Sequence, residues 1–192
     1  MRKLLYIFLI AITSTTFSSC GYNEMVSLDE VVQGQWAQVE TAYQRRSDLV
    51  KALVETVKGA ANFEKETLTA ITEARSKATS IQIDPSNITP DQFKKFEAAQ
   101  SQFGGALSRL LATFERYPEL KANQGFLELQ AQLEGTENRI SVERQKFNDT
   151  VRGYNTYVKS FPQMLYARMF GFGSKDYFES KQGADEAPEV KF

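Results

Sequence analysis

The sequence predicts an all-α protein, an elongated antiparallel bundle of three to four long helices. Three observations carry that expectation. Apolar residues recur in alternating steps of three and four over most of the chain, the spacing that lines one face of a helix. Proline and capping residues stand where those stripes start and stop. No alternating apolar and polar run is bounded by hairpin signals, so nothing reads as a strand.

The chain begins with a label. Arg2 and Lys3 give a basic start, Leu4 to Ile12 is an unbroken apolar run, and small hydroxyl residues lead to Ser18-Ser19-Cys20-Gly21. That order describes a secretory signal over 1–19. The apolar run, at ~1.5 Å per residue, covers only about half of a ~30 Å hydrocarbon core. Its ending resembles a bacterial lipoprotein box, in which the cysteine is diacylated and becomes the new N-terminus; Phe17 stands where such boxes most often carry Leu. An uncleaved anchor is the alternative. Residues 20–27 then form a lipidated tether, at most about 25 Å long if extended at ~3.3 Å per residue, which holds the bundle close to the membrane. Gly21 after the cysteine, in place of an aspartate, favours the outer membrane facing the periplasm.

The first helix is expected over about 28–80. Its stripe runs Trp36, Val39, Tyr43, Arg46, Val50, Leu53, Val57, Ala60, Glu64, Thr67, Ile71, Ala74 and Ala78, and the register passes Gly59 unshifted, which predicts one continuous rod. Asp84-Pro85-Ser86-Asn87 marks a loop. Thr89-Pro90-Asp91-Gln92 is a capping box that starts the second helix, with Phe93, Phe96, Gln100, Phe103, Leu107, Leu110, Phe114 and Tyr117 on one face, ended by Pro118. The third begins near Asn123 and carries Phe126, Leu129, Leu133, Thr136, Ile140, Phe147, Tyr154, Tyr157 and Phe161, closed by Pro162. Met164 to Phe172 is a short apolar piece that ends the 28–172 bundle, and 173–192 is expected as a flexible tail, acidic and polar from Gly183 onward.

Composition removes most chemistry. The chain has 23 basic and 24 acidic residues, net −1; without Arg2 and Lys3 the balance is −3. No basic surplus exists to neutralise phosphates, so nucleic acid is not an expected partner. Histidine is absent and Cys20 is the single cysteine, which argues against His/Cys metal centres, haem ligation and triads built on histidine. No metal, cofactor or catalytic residue is expected, and the chain is not expected to be an enzyme.

Polar intrusions into the apolar seams are the candidate sites. Arg46 and Glu64 interrupt the first stripe; Glu137, Glu143 and Arg144 lie on or beside the third. A charge facing a bundle core costs several kcal/mol (order of magnitude) unless paired, so these residues are either interhelical ion pairs that fix register or the lining of a small-molecule site, with the first favoured. Glu137 and Glu143 point ~240° apart on a helix and do not converge as an acid–base pair. The amides of Asn148 and Asn155 are expected against backbone or neighbouring helices. Leu165, Met169, Phe170 and Phe172 belong to a segment apolar on nearly every side, which either caps the bundle or contacts a partner. With the first helix unbroken, chain parity places that segment away from the membrane; a break at Gly59 would bring it back.

Trp36-Ala37-Gln38-Val39-Glu40, Arg45-Arg46-Ser47-Asp48-Leu49, Leu53-Val54 with Val57-Lys58, Glu115 to Asn123, Thr136-Glu137-Asn138-Arg139-Ile140, Arg144, Phe147-Asn148, Tyr154-Asn155 and Phe161-Pro162 occur in order. Together these blocks resemble the LemA family over essentially the whole mature chain; Phe147 stands where the family usually has tyrosine. The resemblance implies an envelope protein with an N-terminal anchor, a long helical bundle and no established enzymatic activity, and one relative takes part in building magnetosome membranes. The resulting expectation is a membrane-anchored lipoprotein that presents a rigid surface to an envelope protein partner, with a ligand-binding lipoprotein as the alternative.

Overall fold

A computed structural model of the chain describes residues 2–58, 64–86, 88–114, 116–118 and 122–179, with side chains from Gly21 onward. It is all-α among the described residues. Five helices follow in order: α1 (Arg2–Lys58), α2 (Lys65–Ser80), α3 (Pro90–Phe114), α4 (Gln124–Lys159) and α5 (Gln163–Phe170). The expected all-α antiparallel bundle is what forms.

The first helix is not continuous to residue 80. At Glu64 the backbone is extended (φ −61°, ψ 105°) and α2 starts one residue later. The Arg75 Nε donates to the Ser47 carbonyl at 2.9 Å, whereas the intervening 28 residues would separate the two by about 40 Å along one helix at ~1.5 Å per residue. The chain has therefore reversed, and α2 runs back along α1. Gly59, where a break would fall, lies outside the described residues. Register misled here because Val57 and Ile71 are two heptads apart whether or not the chain turns between them.

Each later boundary has a local cause. Thr89 and Gln92 form a reciprocal capping box, Gln92 N to Thr89 Oγ1 and Thr89 N to Gln92 Oε1, both 3.3 Å. Asn123 Oδ1 accepts from Phe126 N at 3.1 Å and caps α4. Gly171 ends α5 at φ 82°, which favours glycine, and Phe172 N closes the turn onto Ala167 O at 2.9 Å. The Phe161–Pro162 peptide is cis.

The core divides by height. In the half away from the N-terminus, α1, α2, α3 and α4 enclose Val50, Leu53, Val57, Ile71, Phe103, Leu110, Phe126 and Leu133. In the half nearer the N-terminus, α1 and α4 enclose Met25, Val32, Trp36, Phe147, Val151 and Tyr154, joined by Phe93, Phe96 and Phe178. α1 is helical straight through 20–27, and Met25 is fully buried. The expected extended tether is thus part of the helix, and the packed body starts near Tyr22.

With α2 as an added element, α4 returns to the end from which α1 started, and α5 lies there too. Phe170 and Phe172 meet the Tyr22 ring at 5.1 and 5.8 Å. The expectation that this segment sits away from the N-terminal end is corrected by the same chain reversal. Ala167 of α5 is buried and Phe172 packs on the core, while Leu165, Met169 and Phe170 are exposed. Among the described residues no helix is long and apolar enough to cross a membrane.

Candidate functional site

Arg46 is buried in α1 and joins three helices. Its Nη1 donates to Glu137 Oε1 on α4 at 2.8 Å, and its Nη2 to Gln100 Oε1 on α3 at 2.6 Å. The guanidinium lies over the Tyr43 and Phe103 rings at 5.1 and 4.9 Å, the sandwich a delocalised cation favours. Glu137 is 43% exposed, so one end of the pair reaches solvent.

The other seam residues go elsewhere. Glu64, expected on the α1 stripe, precedes α2 and pairs with exposed Arg116 at 3.1 Å; it is nowhere near Arg46's partners. Arg144 bridges Glu97 Oε1 at 3.1 Å and the Glu179 carbonyl at 2.9 Å. Glu143 is almost wholly buried and takes Gln35 Nε2 at 2.8 Å, Arg139 Nε at 2.8 Å and Lys146 Nζ at 3.2 Å. The Gln35 hydrogen bond, opposed by burial and helped by Lys146 and Arg139, holds its carboxyl below the usual value. Burial does the opposite at Glu97, raising its carboxyl despite Arg144.

A cleft of about 770 Å³ opens between α1, the end of α2 and α3, lined by Glu40, Tyr43, Ser47, Thr79, Phe96 and Gln100 among others. None of Arg46, Glu64 or Glu137 lines it. Ser47 is 1% exposed, and its hydroxyl has no hydrogen-bond partner. No group of three or more His, Cys, Asp or Glu side chains able to hold a metal occurs among the described residues.

The most ordered polar arrangement involves the segment after α5. Residues 173–179, expected as the start of a flexible tail, are instead pinned in the groove between α1 and α4. Asn155 Nδ2 donates to Lys175 O at 2.8 Å, and its Oδ1 accepts from Lys175 N at 2.9 Å. Asn148 does the same with Phe178, at 3.0 and 2.8 Å. A side-chain amide carries one acceptor and two donors, so it can pair with a residue's N–H and C=O as a neighbouring strand would. The two rungs fit because seven helical residues at ~1.5 Å cover about the same 10 Å as three extended residues at ~3.3 Å. Tyr154 Oη donates to Gly173 O at 2.9 Å, and Lys175 Nζ meets Asp29 at 2.7 Å. Phe178 is 5% exposed, stacked at 6.0 Å on Trp36 and 4.7 Å from Phe93. The asparagines were visible as amides in search of backbone; Lys175 and Phe178 were not, although the Tyr177-Phe178 pair is an apolar signal in an otherwise polar tail.

Chemically, these features tie elements together: a buried arginine fixes the relative height of three helices, and two amides hold an extended segment by its main chain. They define an antiparallel helical bundle whose polar interior is satisfied largely from within. The LemA family model matches residues 35–192, and the chain belongs to the LemA family. It is 29% identical over 144 residues to Protein LemA of Metamycoplasma hominis, covering 75% of this chain and 59% of that protein. It is 25% identical over 181 residues to Magnetosome protein MamQ of Magnetospirillum gryphiswaldense, covering 85% of this chain and 66% of the relative. The chain thus spans roughly three-fifths to two-thirds of the length of these relatives.

Proposed function

We propose that this LemA-family chain is a non-catalytic envelope protein, anchored to a membrane through a lipid on Cys20, that presents a rigid helical bundle to a protein partner. The observation that carries the reading is the engagement of the seam charges. Arg46, Glu137, Glu143 and Arg144 are each held by other parts of the bundle at 2.8–3.1 Å, which leaves no convergent set of reactive groups among them. The relatives named as magnetosome proteins are in keeping with a place at a membrane, and the sequence order ending in Ser-Cys-Gly supports lipidation. Gly21 favours the outer membrane, facing the periplasm.

Metabolic labelling with a fatty acid tests the anchor. The wild-type chain is expected to carry label and to partition with membranes, and Cys20→Ala is expected to lose the label. Label that persists in the mutant overturns the lipoprotein reading. A second reading, a small-molecule site, is favoured by one observation: the α1–α2–α3 cleft has the unpartnered Ser47 hydroxyl in its wall. A ligand there would raise the melting temperature of the wild type and lose that effect in Ser47→Val.

A further inference from the structure

Among the described residues, one end of the protein carries a dense group of exposed apolar side chains. Of the ten exposed large apolar side chains among the described residues, Phe161, Met164, Leu165, Met169 and Phe170 fall within ten consecutive residues, and Tyr22 lies against Phe170. Phe161 and Met169 are 79% and 68% exposed. A soluble surface rarely gathers such side chains into one patch without an occupant.

Three observations name the occupant. The patch lies beside Tyr22, two residues after Cys20, so a lipid on Cys20 or an inserted Leu4–Ile12 run would bring a bilayer to this same end. α1 is helical through residues 20–27, which allows no long extended spacer to lift the body away. The stretch from Lys159 to Ser174 contains Lys159 and Arg168 and no acidic residue, in a chain of net charge −1 overall. Apolar side chains interleaved with cations on a short helix suit the boundary between acyl chains and anionic headgroups.

We propose that α5 and the Phe161 turn dock on the surface of an anionic phospholipid bilayer, forming a second membrane contact beside the anchor. This rests on the membrane-anchored reading above. The geometry sets the bundle upright: with α5 in the headgroup layer, α1 and α4 leave the surface together, and Trp36 stands about 20 Å above Tyr22 at ~1.5 Å per residue.

The test uses the full chain purified with its anchor and reconstituted into vesicles of phosphatidylethanolamine and phosphatidylglycerol, a fraction brominated near the headgroup. Flotation reads the anchor and indole quenching reads the patch. In Met169→Trp, the added indole is expected to lose most of its emission to brominated lipid, while buried Trp36 is unchanged. Val142→Trp, exposed about 26 Å further along α4 at ~1.5 Å per residue, is expected to show no quenching. Adding Phe161→Ser and Leu165→Ser to Met169→Trp is expected to restore emission, with the far-ultraviolet circular dichroism of the bundle intact.

Failure to float overturns the anchor and the docking with it. Flotation without quenching overturns the docking alone. In that case an indole open to acrylamide means that the patch is free for a protein partner, and one shielded from both quenchers means that a second copy covers it. Equal quenching at residues 142 and 169 means that the rod lies flat, which also overturns the upright contact.

Discussion

Arg46 shows how a single side chain sets the height of three helices. Its guanidinium is buried while Glu137 is partly solvated, so the two truncations differ in cost. Glu137→Ala leaves Gln100 on the arginine and is expected to cost about 1–2 kcal/mol. Arg46→Met keeps the stem, removes the buried charge and is expected to leave a folded bundle. A double-mutant cycle followed by urea unfolding should give a coupling of about 1 kcal/mol or more; coupling near zero would remove the pair from the account of register. At Glu143 the folded-state carboxyl lies below its ordinary value of 4.5. Its stabilising contribution is therefore full above the unfolded value and is lost as pH falls through the folded one. Glu143→Gln is expected to destabilise the protein at neutral pH and to flatten the loss of melting temperature on acidification below about pH 4.5; an unchanged acid limb would show that other carboxylates dominate. Glu97 has the opposite sign, since its raised carboxyl favours the folded state below the unfolded value and loses that contribution as pH rises.

Among the elements, the segment 173–179 bears most directly on how the bundle is completed. Phe178 packs against Trp36 of α1, Phe93 of α3 and Phe147 of α4, and so joins the core nearer the N-terminus. Phe178→Ala is expected to cost about 3–5 kcal/mol by analogy with other buried phenylalanines. Asn148→Ala and Asn155→Ala each remove two hydrogen bonds and are expected to cost about 1–3 kcal/mol. Hydrogen exchange gives the specific readout: the Lys175 and Phe178 amides should lose protection while those of α2 and α3 keep theirs. Retained protection would mean that the rungs contribute little. Tyr154, pushed up to about 12 by burial and by Asp29, keeps its proton on the bond to Gly173. That contribution is present below the ordinary phenol value near 10 and is lost as pH rises through about 12.

At the scale of the whole molecule, helical periodicity made the architecture legible but left the path of the chain ambiguous. The stripes of α3 and α4, the Thr89–Gln92 capping box and the Asn123 start were all written in local sequence. The reversal before α2 was not, because a stripe records phase and not direction; Glu64 falls in phase with the Arg46 seam without belonging to it. Arg144's link to Glu179 and the seat of Phe178 depend on a long-range contact from a segment with little periodicity of its own. Spin labels at exposed Lys51 and Thr72 check the reversal. One continuous helix would hold them about 32 Å apart at ~1.5 Å per residue, whereas the observed hairpin of α1 and α2 should bring them within about 20 Å.

The amide rungs have a consequence for cleavage. They grip peptide units, so their selectivity for 173–179 over another extended chain comes partly from tethering: the ligand is tied to its receptor through α5, which sustains a high local concentration. A protease cut between Gly171 and Gly173 would leave every contact in place and yet make the association bimolecular. The freed C-terminal piece would then dissociate on dilution, and an added copy of it could return to the groove.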